Sequence, residues 1–210
     1  MTVTERIGVE EFISVDLLTV FGGVHKNYTK DEYIFHEDEH SHFYYQIISG
    51  KVKMVSEAED GKEFIQGFFG PGQSFGEPPI FDEGVYPASA KAEEDSVIIR
   101  LAVDSFIHML KQHFDIHWKI TKLLAHRIKH KAVTLKEISC HTPEHRILNL
   151  LDNYKKELKN KSPFIPKVKV DFTRQEIADM CGLRVETVIR VIRQMHEKDM
   201  LVIKRGKVYY

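Results

Sequence analysis

Short runs rich in Ile, Val, Phe and Tyr, separated by glycine-containing turns, dominate the chain from Tyr33 to about Leu101. The runs are 43–48, 51–55, 63–69 and 96–101, and the punctuation is Ser49-Gly50, Asp60-Gly61, Gly70-Pro71-Gly72 and Glu83-Gly84. Regular short strands joined by tight turns predict a barrel or jelly roll. The pattern then changes. Phe114 to Ser139 contains neither Gly nor Pro and reads as one uninterrupted helix. A heptad register places Thr121, Ile128 and Leu135 at one seam position and Leu124, Lys131 and Ile138 at the other. That register predicts pairing with a second copy of the helix; the alternative is a single amphipathic helix packed on its own domain.

Cys140-His141-Thr142-Pro143-Glu144 forms a hinge, with Thr142 as N-cap and Pro143 at the first helical position, where its missing N–H does no harm. The helix that follows runs to about Lys159 and buries Ile147, Leu148, Leu151 and Leu158, before Asn160 to Pro166 break it. Thr173-Arg174-Gln175-Glu176 is a capping box, in which hydroxyl and carboxylate satisfy amide donors reciprocally. Ile177, Ala178 and Met180 supply the inner face of the short helix it opens. Gly182 ends that helix where positive φ is cheap, and Leu183 plugs the turn. A second helix over about Val185 to Lys198 turns Val188, Ile192 and Met195 inward. The unit is a helix-turn-helix, and Leu201 to Tyr210 adds a basic β-hairpin, or wing.

The predicted class is therefore α+β: a β jelly-roll or barrel sensor over 1–113, a dimerisation helix over 114–139, and a winged helix-turn-helix over 140–210. A length of 210 residues suits two modest domains, and 42% hydrophobic residues beside 29% charged argue against wholesale disorder. No apolar run reaches membrane-spanning length and the first residues carry no signal segment, so the expected location is the cytoplasm, with no membrane partner. Cys140 and Cys181 lie too far apart for CxxC spacing and read as small buried residues. The net charge of −1 conceals an asymmetry. Residues 1–139 carry 15 Lys/Arg against 22 Asp/Glu, whereas residues 140–210 carry 15 against 9, so the back half is the one suited to a polyanion.

Glu186 and Arg190 stand four residues apart on the N-terminal half of the second helix, the part that reaches base edges in the major groove. Arg190 can donate twice to guanine O6/N7 and Glu186 can accept from cytosine N4. The alternative is a surface ion pair. Val185 and Ile189 are apolar at positions expected to be exposed, which suits thymine methyl groups. Lys204, Arg205 and Lys207 of the wing are placed to lie along phosphates of double-stranded DNA.

These residues resemble the CRP/FNR family of bacterial transcription regulators over nearly the full length. The likeness is carried by Thr173 to Ala178, Glu186-Thr187-Val188 and Arg190, and by Gly50-Lys51-Val52, Gly61-Lys62-Glu63, Gly76-Glu77, Phe81 and Ala88 in the front half. The resemblance implies base reading by Glu186 and Arg190, with phosphate contacts from Arg174, Gln175 and Thr187, to which Arg184 is added. Val185-Glu186-Thr187 looks more like the FNR branch. A homodimer on a two-fold site with a TGA-like half-site core is expected, with RNA polymerase as a further partner.

The sensor half departs from the family pattern. Glu77 resembles the ribose ligand of cyclic-nucleotide sites, but Tyr86-Pro87 stand where the family has the Arg-Ser pair that holds the cyclic phosphate. Lys131-Ala132 stand where its adenine-binding Thr-Ser pair would be. This argues against cyclic AMP and leaves the effector unidentified, with Gly76, Glu77, Tyr86, Pro87 and Lys131 as the candidate pocket for another anionic or planar small molecule. An iron–sulfur cluster of the FNR type needs four cysteine ligands, and the chain has two. The alternative from another class is a cupin-like metal-dependent enzyme built on His40-x-His42 and His36, with Gln46 in the glutamate place. His117, His126 and His130 read as solvated helix positions rather than haem ligands. No Ser-His-Asp order, P-loop or paired-carboxylate motif appears, so no enzymatic activity is expected.

Overall fold

The structure, a computed structural model, describes residues 12–57, 63–161 and 168–210, with the side chains of 130, 133–134, 137–140, 157 and 159–161 outside the description. The Asp60-Gly61 turn, Lys62, most of the break over 160–166, and the side chains of Ile138 and Cys140 therefore lie outside the described residues. The chain divides into two compact units, Met1–His126 and Arg127–Tyr210.

In the first unit, α1 (Val15–Val20) precedes β1 (Val24–Tyr28), β2 (Tyr33–Phe35), β3 (Phe43–Ser49), β4 (Val52–Glu57), β5 (Glu63–Phe69) and β6 (Ser74–Phe75). Next come α2 (Pro78–Asp82), β7 (Ser89–Ala92), β8 (Ser96–Ala102), α3 (Val103–Gln112) and the start of α4 (Phe114–Cys140). The strands form two antiparallel four-stranded sheets, ordered β1-β8-β3-β6 and β2-β7-β4-β5. This is the jelly-roll plan expected from the strand and turn spacing.

Two-residue periodicity explains how the first sheet is covered on both faces. On β3, Tyr45 and Ile47 join the cluster between the sheets, while Tyr44 joins a second cluster with Phe106, Met109 and Leu110 of α3 and Ile116 and Ile120 of α4. On β8, Ile98 faces the first cluster, and Ile99 and Leu101 face the second. Gln46 is fully buried between these strands and loops. Its amide is satisfied by donating to the Ile13 carbonyl (2.7 Å) and accepting from the Ile13 N–H (3.0 Å) and the Tyr44 hydroxyl (2.9 Å). Burial of this kind keeps both faces of the sheet out of water at roughly 25 cal/mol per Å² of apolar area.

In the second unit, α5 (Pro143–Lys161), β9 (Lys169–Val170), α6 (Arg174–Cys181), α7 (Val185–Glu197), β10 (Val202–Lys204) and β11 (Lys207–Tyr209) follow the end of α4. Thr142 accepts from the His145 amide through its hydroxyl (3.4 Å) and from the Arg146 amide through its carbonyl (3.0 Å), in keeping with its expected role as N-cap before Pro143. Ile147 and Leu151 of α5 pack against Ile177, Ala178, Val188, Ile192 and Met195 in one core. The wing has a third strand that the sequence pattern did not suggest. β9 pairs antiparallel with β11, and Val168 and Tyr210 exchange backbone hydrogen bonds at 2.8 and 2.9 Å. Two residues are too few to show a period of two.

Candidate nucleic-acid interface

The reading helix is fixed from its neighbours outward. Thr173 Oγ1 accepts from the Glu176 amide at 3.1 Å and the Glu176 carboxylate accepts from the Thr173 amide at 2.6 Å, completing the expected capping box. Gly182 closes α6 with φ +62°, and the Leu183 amide donates to the Ala178 carbonyl at 2.9 Å. Arg146 reinforces the turn, donating from Nη1 to the Cys181 carbonyl at 3.4 Å and from Nε to the His141 carbonyl at 3.0 Å. Cys181 is buried, and burial pushes its thiol up to about 12. The inner face of α6 differs from expectation in one respect. Met180 is only half-buried, whereas Asp179 and Cys181 are buried beside Ile177 and Ala178.

On α7, Val188, Val191, Ile192 and Met195 face the core. The opposite side carries Glu186, Ile189, Arg190, Arg193, Gln194 and Glu197 around one shallow depression. The structure thus brings together three of the four expected base-reading residues. Val185 departs from expectation: it is half-buried and packs against the core, so its side chain is shared between core and surface. Arg193, Gln194 and Glu197 had not been singled out, although they continue the Glu186–Arg190 stripe at spacings of three and four residues.

Arg184, at the N-cap of α7, is exposed, and Thr187 and Arg174 are half-exposed. Partial burial lowers the pKa of Arg174, yet a guanidinium remains charged. Gln175 is exposed and donates from Nε2 to Asp179 Oδ1 at 2.8 Å, which holds its amide in a defined place. Lys204, Arg205 and Lys207 are exposed on the wing. Arg205 (φ +49°) and Gly206 (φ +76°) form the two-residue turn between β10 and β11, both in the left-handed region required by a type I′ hairpin.

In the jelly roll, Gly76, Glu77 and Tyr86 are buried, and Glu77 lies close enough to act electrostatically on the Tyr86 phenol. Pro87 lies on the surface, its carbonyl accepting from Ser56 Oγ at 3.2 Å. Lys131 belongs to the second unit and is exposed. The metal-enzyme alternative has no counterpart. His36, His40 and His42 are exposed, the Gln46 amide is engaged by Ile13 and Tyr44, and no described residues form a group of three or more metal-ligating side chains.

Along α4 the exposed apolar face runs through Phe114, Trp118, Ala125, Ile128, Ala132 and Leu135, with Ile128 71% and Leu135 66% exposed. Leu124, expected at the seam, instead sits half-buried against the core of its own domain. The second seam position alternating with Thr121, Ile128 and Leu135 is thus that of Trp118, Ala125 and Ala132. Among the described residues no helix is long and apolar enough to cross a membrane.

Comparison with known proteins places these two units in one lineage. Residues 25–113 match the cyclic nucleotide-binding domain model, and residues 145–209 match the Crp-like helix-turn-helix domain model. The chain is 27% identical over 179 residues to the cAMP-activated global transcriptional regulator CRP of Pasteurella multocida, covering 85% of each chain. It is 24% identical over 201 residues to the transcriptional activator protein anr of Pseudomonas aeruginosa, covering 96% of this chain and 81% of that one. The fold is shared with FixK2 of Bradyrhizobium japonicum at a TM-score of 0.71 and 23% identity, over 89% of this chain and 91% of that chain. With a nucleotide-binding-type jelly roll in front and a Crp-like helix-turn-helix behind, the chain belongs to the CRP/FNR family of DNA-binding transcription regulators.

Proposed function

We propose that this regulator acts as a homodimer on a two-fold symmetric DNA site whose half-sites share a TGA-like core, under control of a small molecule in the jelly roll. The observation that carries the reading is the exposed stripe of Glu186, Ile189 and Arg190 on a helix held by a capping box beside a basic wing. Arg190 supplies the bidentate donor that guanine presents acceptors for, Glu186 accepts from a cytosine amino group, and Ile189 covers a thymine methyl. Val185 borders this contact. Arg174, Gln175, Arg184, Thr187, Lys204, Arg205 and Lys207 ring the stripe and hold phosphates.

Dimerisation through α4 follows from its uncovered apolar face, since Ile128 and Leu135 side chains stand in water on the isolated chain. A symmetric pair of reading helices about 34 Å apart then meets successive major grooves on one side of the duplex. RNA polymerase is the downstream partner in this reading. Binding of fluorescein-labelled duplexes tests it: a palindrome with two TGA-containing half-sites should bind at least a hundredfold more tightly than the same duplex with both cores scrambled. Equal affinity for the two would remove the assignment.

A further inference from the structure

The interior of the jelly roll is filled by the protein's own rings. Phe35, only 4% exposed, lies flat on Tyr86, itself 1% exposed, with ring centroids 3.6 Å apart and planes 11° from parallel. Tyr45 and Phe75 stack beside it at 5.5 and 6.0 Å. β7 contributes only the methyl groups of Ala88-side residues Ala90 and Ala92 and of Ala88 itself, all fully buried, which leaves the space that the four rings take. Gly76 has φ +74°, and a Cβ there would stand 2.9 Å from Phe35 Cζ and 3.3 Å from Tyr86 Cε1, so the Phe35 ring edge rests directly on the Gly76 backbone.

The two stacked rings are not held alike. The Tyr86 hydroxyl is hydrogen-bonded to Ser41 Oγ at 3.2 Å and receives a hydrogen bond from Tyr45. Phe35 has no polar atom and is kept in place by packing alone. An incoming nucleotide would need donors or a cation for its phosphate. What faces this seat is the buried Glu77 carboxyl and the apolar rings.

We infer that Phe35 is the built-in occupant of the sensor barrel: its ring takes the seat over Gly76 and on Tyr86, excludes nucleotides, and marks that seat as fitting a flat, uncharged aromatic ring. The inference rests on the reading of the jelly roll as the sensor of this regulator. Phe35 is thereby the residue that sets what the site accepts.

Calorimetric titration of the full chain with cyclic AMP and with indole, for wild type and Phe35→Ala, tests this. The expected result is no saturable uptake of cyclic AMP by wild type, and indole binding by Phe35→Ala at least tenfold tighter than by wild type. Saturable cyclic AMP binding by wild type, or a folded Phe35→Ala that binds indole no better than wild type, would overturn it. Should circular dichroism show Phe35→Ala unfolded, Phe35→Val, which also removes the ring but leaves less void, carries the same comparison with the same two outcomes. Fluorescence anisotropy on DNA with the same preparations keeps the two readings apart. Failure of wild type to bind any duplex counts against the regulator assignment and does not alter the indole comparison.

Discussion

The Thr173 hydroxyl and the Glu176 carboxylate exchange hydrogen bonds with each other's backbone amides, at 3.1 and 2.6 Å, and so fix the start of the helix that supports the reading helix. Removing one half of this exchange leaves an amide donor to water and loosens the first turn of α6. Thr173→Ala should cost about 1 kcal/mol of unfolding free energy. Urea denaturation followed by circular dichroism checks it, and Thr173→Ser should retain most of the stability.

Cys181 reports on the integrity of the same core. Its thiol is pushed up to about 12 by burial, so in a Cys140→Ser background it should resist iodoacetamide at pH 8 and react only when the domain is unfolded. The sign of the pH dependence follows. The folded state favours the protonated thiol, so this contribution to stability is complete below the ordinary thiol value of 9.0 and is lost as pH rises towards about 12. Alkylation of native protein at pH 8 as fast as that of a free thiol would contradict this placement.

The α4 register separates two leucines that share a helix. Leu135→Asp, on the exposed face, should convert dimer to monomer in sedimentation-velocity runs while leaving the melting of the jelly roll unchanged. Leu124→Ala, packed on its own domain, should instead destabilise that domain by about 2 kcal/mol, as befits a half-buried leucine, and leave the dimer intact.

Much of this architecture was legible in the chain because its signals are local. The capping box, the Gly182 stop and the alternation of inward Val188, Ile192 and Met195 fix the helix-turn-helix within a few residues of each other, and the structure reproduces each of them. The α4 register was not legible, because Leu124 is as apolar as Ile128 and only the position of its own domain decides which of them faces away. Val185 is a similar case, since an apolar residue at the first turn can serve core and surface alike. The filled barrel lay furthest from reach. Phe35 and Tyr86 are 51 positions apart, and no periodicity links a ring on β2 to one before β7.

The wing should act through charge. Lys204→Ala and Lys207→Ala should each weaken binding to specific and scrambled duplexes about equally and reduce the slope of log affinity against log salt by about one. Arg205 carries a second burden, its φ of +49°. Arg205→Gly relieves that conformation while deleting the charge, so it should lower the salt slope without lowering the melting temperature.

The most direct measurement is the affinity of wild type and Arg190→Ala for a TGA-cored palindrome and its scrambled counterpart, taken at one salt concentration by fluorescence anisotropy. Loss of a bidentate guanine contact in each half-site should cost about 1–3 kcal/mol per half-site on the palindrome and little on the scrambled duplex, so that selectivity collapses. Arg190→Ala binding both duplexes with wild-type selectivity would contradict the account and move the reading face elsewhere on the domain.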